Sequence, residues 1–198
     1  MFRDLIFLSG RILPGLTALS ILAGASAYAN DKPGPYLTID IEGEANGRVV
    51  IDLAYEAAPN HVEQIMALAG ENAYDGVAFH RVIDGFMAQT GDVQFGKRDG
   101  YNSSRIGSGG SDRPDIKAEF SNIPFDRGVV GMARAQHPDS ANSQFFIMFE
   151  DGHFLNGQYT VIGRVSRGME VVDAIKRGRG QNGMVGKNPD IMSRVQVE

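Results

Sequence analysis

Phe79-His80-Arg81-Val82-Ile83-Asp84-Gly85-Phe86-Met87-Ala88-Gln89-Thr90-Gly91-Asp92 reads as strand, turn, strand. Alternation along such strands predicts that Arg81 shares a face with Phe79, and that Met87 shares one with Gln89. A second segment, Asn142-Ser143-Gln144-Phe145-Phe146-Ile147, alternates in the same way. Spacing alone leaves two readings open. Either Phe79, Phe86, Phe145 and Phe146 are core residues beside a surface arginine, or the aromatic residues and Arg81 together form a site.

Outward from this hairpin, short alternating segments recur. Tyr36 to Glu42 places Leu37, Ile39 and Ile41 on one face, with Thr38 and Asp40 on the other. Gly47 to Leu53 repeats the pattern with Val49, Ile51 and Leu53, and Glu44 to Gly47 supplies the turn of an opening hairpin. Further strand candidates are Val129 to Ala133, Gln144 to Phe149, Thr160 to Val165 and Arg194 to Val197. Two stretches have helical spacing. Asn60 to Ala69 carries Asn60 and Glu63 like a capping box and Gly70 as a stop; Met169 to Lys176 ends before Gly178. Many short strands with two isolated helices exclude alternating βαβ units and predict an antiparallel barrel plugged by helices. The 25 glycines agree with many turns. Segments 91–115 and 177–190 are expected to be surface loops.

The first 29 residues have a different character. Arg3 and Arg11 precede the apolar stretch Ile12 to Ala25, and small-x-small cleavage sites follow at Ala25-Ser26-Ala27 and Ala27-Tyr28-Ala29. This is the plan of a secretory signal peptide over residues 1–29, with a single domain over 30–198. The alternative is an uncleaved helix tethering the domain to the inner membrane. No adjacent arginine pair marks a twin-arginine signal. Export through such a signal places the domain in the periplasm. A chain without cysteine suits that oxidising compartment and excludes disulfides, thiol catalysis and thiolate metal sites. A net charge of −5 argues against general affinity for nucleic acid or anionic lipid.

Other chemistries find little support. His61, His80, His137 and His153 fit no zinc-binding spacing, so no metal is expected. No G-x-S-x-G elbow is present. The Gly107-Ser108-Gly109-Gly110 run invites a phosphate reading, but no GK[ST] follows it, and a mobile loop is the better account. Arg177-Gly178-Arg179-Gly180 is a single copy in an acidic chain and reads as a solvated loop.

FHRVIDGFMAQTGD resembles the catalytic strand pair of the cyclophilin family. GSGG (107–110), GVVGMARA (128–135), SQFFIMF (143–149) and FLNGQYTVIGRV (154–165) follow in the family's order, and the likeness runs from about residue 35 to 178. The resemblance implies a mainly β fold, a closed eight-stranded antiparallel barrel capped by two α-helices. It implies a peptidyl-prolyl cis-trans isomerase acting on proline-containing polypeptides, without a cofactor, as a monomer. By position, Arg81 would be the catalytic arginine, and Gln89 would hold its guanidinium and touch substrate. Phe86, Met87, Phe146 and Leu155 would line the pocket for the proline ring. Ala133, Arg134 and Gln144 would border the groove for the preceding residues, where Arg134 would favour acidic neighbours. Phe154 stands where many eukaryotic members have tryptophan, and Tyr159 where they have histidine. Both would sit at the groove edge; they leave the isomerase set intact and count against tight cyclosporin binding. A binding module or holdase using the same groove without turnover is the rival reading.

Overall fold

The computed structural model describes residues 34–101 and 104–198, so the signal segment 1–29 lies outside the described residues. Nine strands form one antiparallel sheet: β1 Tyr36–Glu42, β2 Gly47–Leu53, β3 Val77–Ala78, β4 Arg81–Ile83, β5 Met87–Thr90, β6 Val129–Met132, β7 Phe145–Met148, β8 Val161–Arg167 and β9 Ile191–Val197. Their order is β3-β9-β1-β2-β8-β6-β7-β5-β4. The opening hairpin is as read, with Leu37 opposite Ile51 and Ile39 opposite Val49, all buried.

The expected closed eight-stranded barrel is corrected to a nine-stranded sheet whose two edge strands, β3 and β4, are not paired with each other. These edges are consecutive pieces of one extended run, parted only by Phe79 and His80. Successive amides of an extended chain point to opposite sides. Phe79 N donates to Asp190 O beside β9, while His80 N donates to Gln89 O on β5. The sheet therefore curls until its edges meet at one segment. That change of partner also breaks the alternation: Phe79 enters the main core, while Arg81 is half-buried elsewhere. The predicted shared face of Phe79 and Arg81 is thus not found.

The sheet has two apolar sides. Ala88 of β5 and Phe145 and Ile147 of β7 join the main core with Val62, Ile65 and Leu68 of helix α1 (Pro59–Gly70) and Val172 of helix α2 (Met169–Asp173). Met87, Phe146 and Met148, one residue out of phase, join a second cluster with Phe125, Leu155 and Val161. Period-two alternation makes both clusters from the same strands.

Both helices depart from their reading at the ends. Pro59 opens α1 and Ala58 precedes it without a side-chain cap. The capping carboxylate comes instead from Glu119, which accepts from Asn60 N (3.2 Å), His61 N (3.1 Å) and His61 Nδ1 (2.6 Å), while Glu63 accepts from Tyr55 Oη (2.7 Å). Helix α2 stops at Asp173 because the amide of Lys176 is taken by the buried Asp190 carboxylate (2.6 Å) and that of Gly178 by Val82 O.

Candidate active site

On the side of the second cluster, a cavity of about 340 Å³ opens between β4, β5, β6, β7 and the 154–159 loop. Strands β4 and β5 set Arg81 opposite Gln89, and β5 and β7 set Gln89 opposite Phe146. Met87, Phe146 and Leu155 form the buried floor. Phe146 is backed by Phe125 in a stacked contact of 5.8 Å and meets Tyr159 edge-on at 5.8 Å. Phe86 and Phe154 lie ring to ring at 5.5 Å on another side, with Phe154 66% exposed at the lip. The cavity also takes in Ala133 and Arg134.

Arg81 has its donors apportioned. Nε donates to Asn182 O (3.0 Å) and Nη1 to Gln89 Oε1 (3.2 Å), with Met87 Sδ 3.9 Å from Nη1. Partial burial lowers its pKa from the ordinary arginine value, yet a guanidinium starts so far above neutrality that it stays charged. Nη2 has no hydrogen bond to the protein among the described residues, so a residue that lines the cavity keeps one charged donor uncommitted. Gln89 Nε2 in turn donates to Gln144 Oε1 (2.9 Å), whose own Nε2 donates to Gly107 O and Gly109 O (3.1 and 2.8 Å).

Ten of the eleven residues expected at the site line this one cavity. Gln144 does not, but lines an adjoining cavity of about 510 Å³ that shares Gln89, Ala133 and Arg134 with the first. Arg134 has its donors engaged within the chain. Its Nε and Nη2 donate to Gln158 O, its Nη1 to Ala135 O and Gln136 O, and its guanidinium lies 4.5 Å over the Tyr159 ring. It holds the wall of the cavity.

Several contributors escaped the sequence reading. Segment 177–190 is no mere surface excursion: Val82 N donates to Gly183 O, Gly178 N to Val82 O and Val185 N to His80 O, and Val185 is buried. The pairing brings Asn182 O to Arg81. An Asn-Gly pair at 182–183 marks a turn, but not its neighbour. Segment 107–110, read as a mobile loop, is anchored. Its Gly107 and Gly109 amides, which could have cradled a phosphate, donate to the protein's own Asp92. Asp126, Asp151 and His153 place ligand atoms within 4.8 Å of one another on the surface, a convergence that their spacing concealed.

A curled antiparallel sheet bearing an arginine at the lip of an aromatic cavity defines a proline-isomerase architecture, and comparison with known proteins agrees. The family described as "Cyclophilin type peptidyl-prolyl cis-trans isomerase/CLD" matches residues 36–197, and the chain belongs to it. A probable peptidyl-prolyl cis-trans isomerase of Brucella suis is 56% identical over 183 residues, 91% of each chain. A peptidyl-prolyl cis-trans isomerase of Arabidopsis thaliana is 38% identical over 73% of this chain and 66% of its own. A crystal structure of a Cryptosporidium parvum cyclophilin-type isomerase, obtained in the presence of the dipeptide Ala-Pro, has the same fold. Its TM-score is 0.69 at 23% identity, covering 82% of this chain and 98% of that one.

Proposed function

We propose that this isomerase seats the proline ring of its substrate in the 340 Å³ cavity and uses Arg81 as the catalytic donor, serving the folding of exported proteins in the periplasm. The observation that carries the reading is the placement of Arg81. Two of its nitrogens are fixed, by Asn182 O and Gln89 Oε1, while the third has no partner among the described residues and the side chain lines an aromatic cavity.

Rotation about an X-Pro bond must break amide resonance. The barrier is about 18–20 kcal/mol, and the uncatalysed reaction takes tens to hundreds of seconds. No bond to carbon forms, so no nucleophile and no cofactor take part. At the twisted transition state the proline nitrogen regains a lone pair, and a donor aimed there binds this state better than either planar isomer. A charge-assisted hydrogen bond contributes roughly 1.5–3 kcal/mol, which is about ten- to a hundredfold in rate. The aromatic floor supplies the grip on the ring and the low-dielectric surroundings that strengthen the Arg81 charge. Residues preceding proline run past Ala133 and Gln144 into the adjoining cavity.

Arg81→Ala and Arg81→Lys are both expected to fold and to lose most isomerisation of a proline tetrapeptide in a protease-coupled assay. Lysine has no planar fork to satisfy Asn182 O and Gln89 while still presenting a donor. Near-wild-type turnover in either variant defeats the assignment. An aggregation assay alongside separates enzyme from holdase: protection that survives in turnover-dead Arg81→Ala favours the holdase.

The periplasmic half of the reading rests on the signal-like residues 1–29. Among the described residues no helix is long and apolar enough to cross a membrane. Mass spectrometry of the exported protein should give a mature N-terminus after Ala27 or Ala29; an intact Met1 in the membrane fraction supports the tethered alternative.

A further inference from the structure

Asp92 is fully buried and lies outside the cavity, yet its carboxylate is tied to four amides. Oδ1 closes a local turn, accepting from Gln94 N (3.2 Å) and Phe95 N (2.8 Å). Oδ2 reaches further along the chain, accepting from Gly107 N (2.7 Å) and Gly109 N (3.0 Å). With those amides turned to Asp92, the carbonyls of the same two glycines turn to Gln144 and accept from its Nε2.

We infer that Asp92 is a positioning residue for isomerisation, setting the donor-to-acceptor direction of a hydrogen-bond chain that runs through Gln144 and Gln89 to Arg81. This rests on the assignment of Arg81 above. The two ends of a glutamine amide are chemically opposite, one donating and one accepting. Two carbonyls hold the Gln144 nitrogen to the loop, so its oxygen must face Gln89. Gln89 therefore gives its nitrogen to Gln144 (2.9 Å) and keeps its oxygen for Arg81 Nη1 (3.2 Å). Each link fixes the next.

Release of the loop removes that constraint. Gln144 then loses both acceptors of its amide nitrogen, so its oxygen is no longer held towards Gln89 and Gln89 is oriented from the guanidinium end alone. Arg81 is left on a looser partner, with Asn182 O still holding its Nε. The loop is closely fitted to Asp92, since a Cβ on Gly109 would stand 2.3 Å from Oδ1.

Asp92→Asn keeps one oxygen for the turn and places an amide nitrogen against the Gly107 and Gly109 amides. Exchange NMR on a saturating Ala-Pro peptide measures turnover, and titration measures affinity. Turnover is expected to fall about five- to twentyfold while affinity moves less than about twofold, the signature of a loss confined to the transition state. In a Gln144→Ala background, Asp92→Asn should cost no more than about twofold further, because the chain is already cut. Gly109→Ala displaces the loop without changing Asp92 and should repeat the loss of turnover and its disappearance in the Gln144→Ala background; it carries the test if Asp92→Asn does not fold.

Unchanged turnover in a folded variant, a loss seen in affinity alone, or an equal loss with and without Gln144 overturns the inference. Those outcomes with an inactive Arg81→Ala leave the Arg81 assignment standing. Turnover persisting in Arg81→Ala removes that assignment instead.

Discussion

His80 stands beside the arginine in sequence and on the other side of the chemistry. It is 2% exposed, and burial pushes its pKa down from 6.5 to about 4, against the pull of the Asp92 charge. Between those two values the unfolded chain binds a proton that the folded chain refuses. Stability from this group is therefore complete above about pH 6.5 and is lost as the pH falls towards 4. The full loss is about 3 kcal/mol at 1.36 kcal/mol per unit. Urea unfolding at several pH values should show wild type weakening across this range and His80→Gln weakening less. Equal slopes would mean that His80 is not the group responsible. Phe146 poses the opposite problem, an apolar group with two tasks. It is stacked on Phe125 and forms the cavity floor, so Phe146→Ala should lower stability by about 3–5 kcal/mol and weaken peptide binding as well. Differential scanning calorimetry and peptide titration read the two effects separately.

At the level of elements, helix α1 shows what local sequence can and cannot announce. Val62, Ile65, Leu68 and Ala69 face the core, as apolar positions at helical spacing must. Its cap is not local, because the carboxylate comes from Glu119, 59 residues beyond Asn60. Partial burial pushes the Glu119 carboxyl up, but the hydrogen bonds from His61, Asn60 and their amides outweigh it and hold the pKa below the usual glutamate value. A depressed carboxylate stabilises above the unfolded value and loses that contribution as pH falls through the folded one. Glu119→Gln should thus cost about 1–2 kcal/mol at pH 7, comparable to a lost cap, and the difference from wild type should shrink in acid. A difference in unfolding free energy that stays constant with pH would contradict the cap. The same limit hid the tie between 177–190 and Arg81. That tie is made by the backbone oxygens of Asn182 and Gly183, and backbone atoms leave no residue-type signature. The side chains of Phe86, Met87 and Phe146, which line the cavity, do carry such a signature.

For the whole molecule, the missed strand count and the closure of the sheet have one origin. Eight extended runs are visible in the sequence, but only long-range pairing reveals that the run from Val77 to Ile83 serves both edges of the sheet. The chain ends obey the same logic. Tyr36 N donates to Glu198 O and Glu198 N to Tyr36 O, so the first and last described strands zip together, and β9 lies between β3 and β1. Strand β9 is thus central to the sheet. A chain beginning at Asn30 should fold and isomerise a proline tetrapeptide at the full-length rate. A chain ending before Ile191 strips a neighbour from β1 and from β3 and removes the buried Val195 and Met192, so it should give no cooperative unfolding transition. Circular dichroism melts of the two truncations decide the matter: a cooperative melt from the chain lacking β9 would show that the curl is held by the β5–β7–β6–β8 half of the sheet alone.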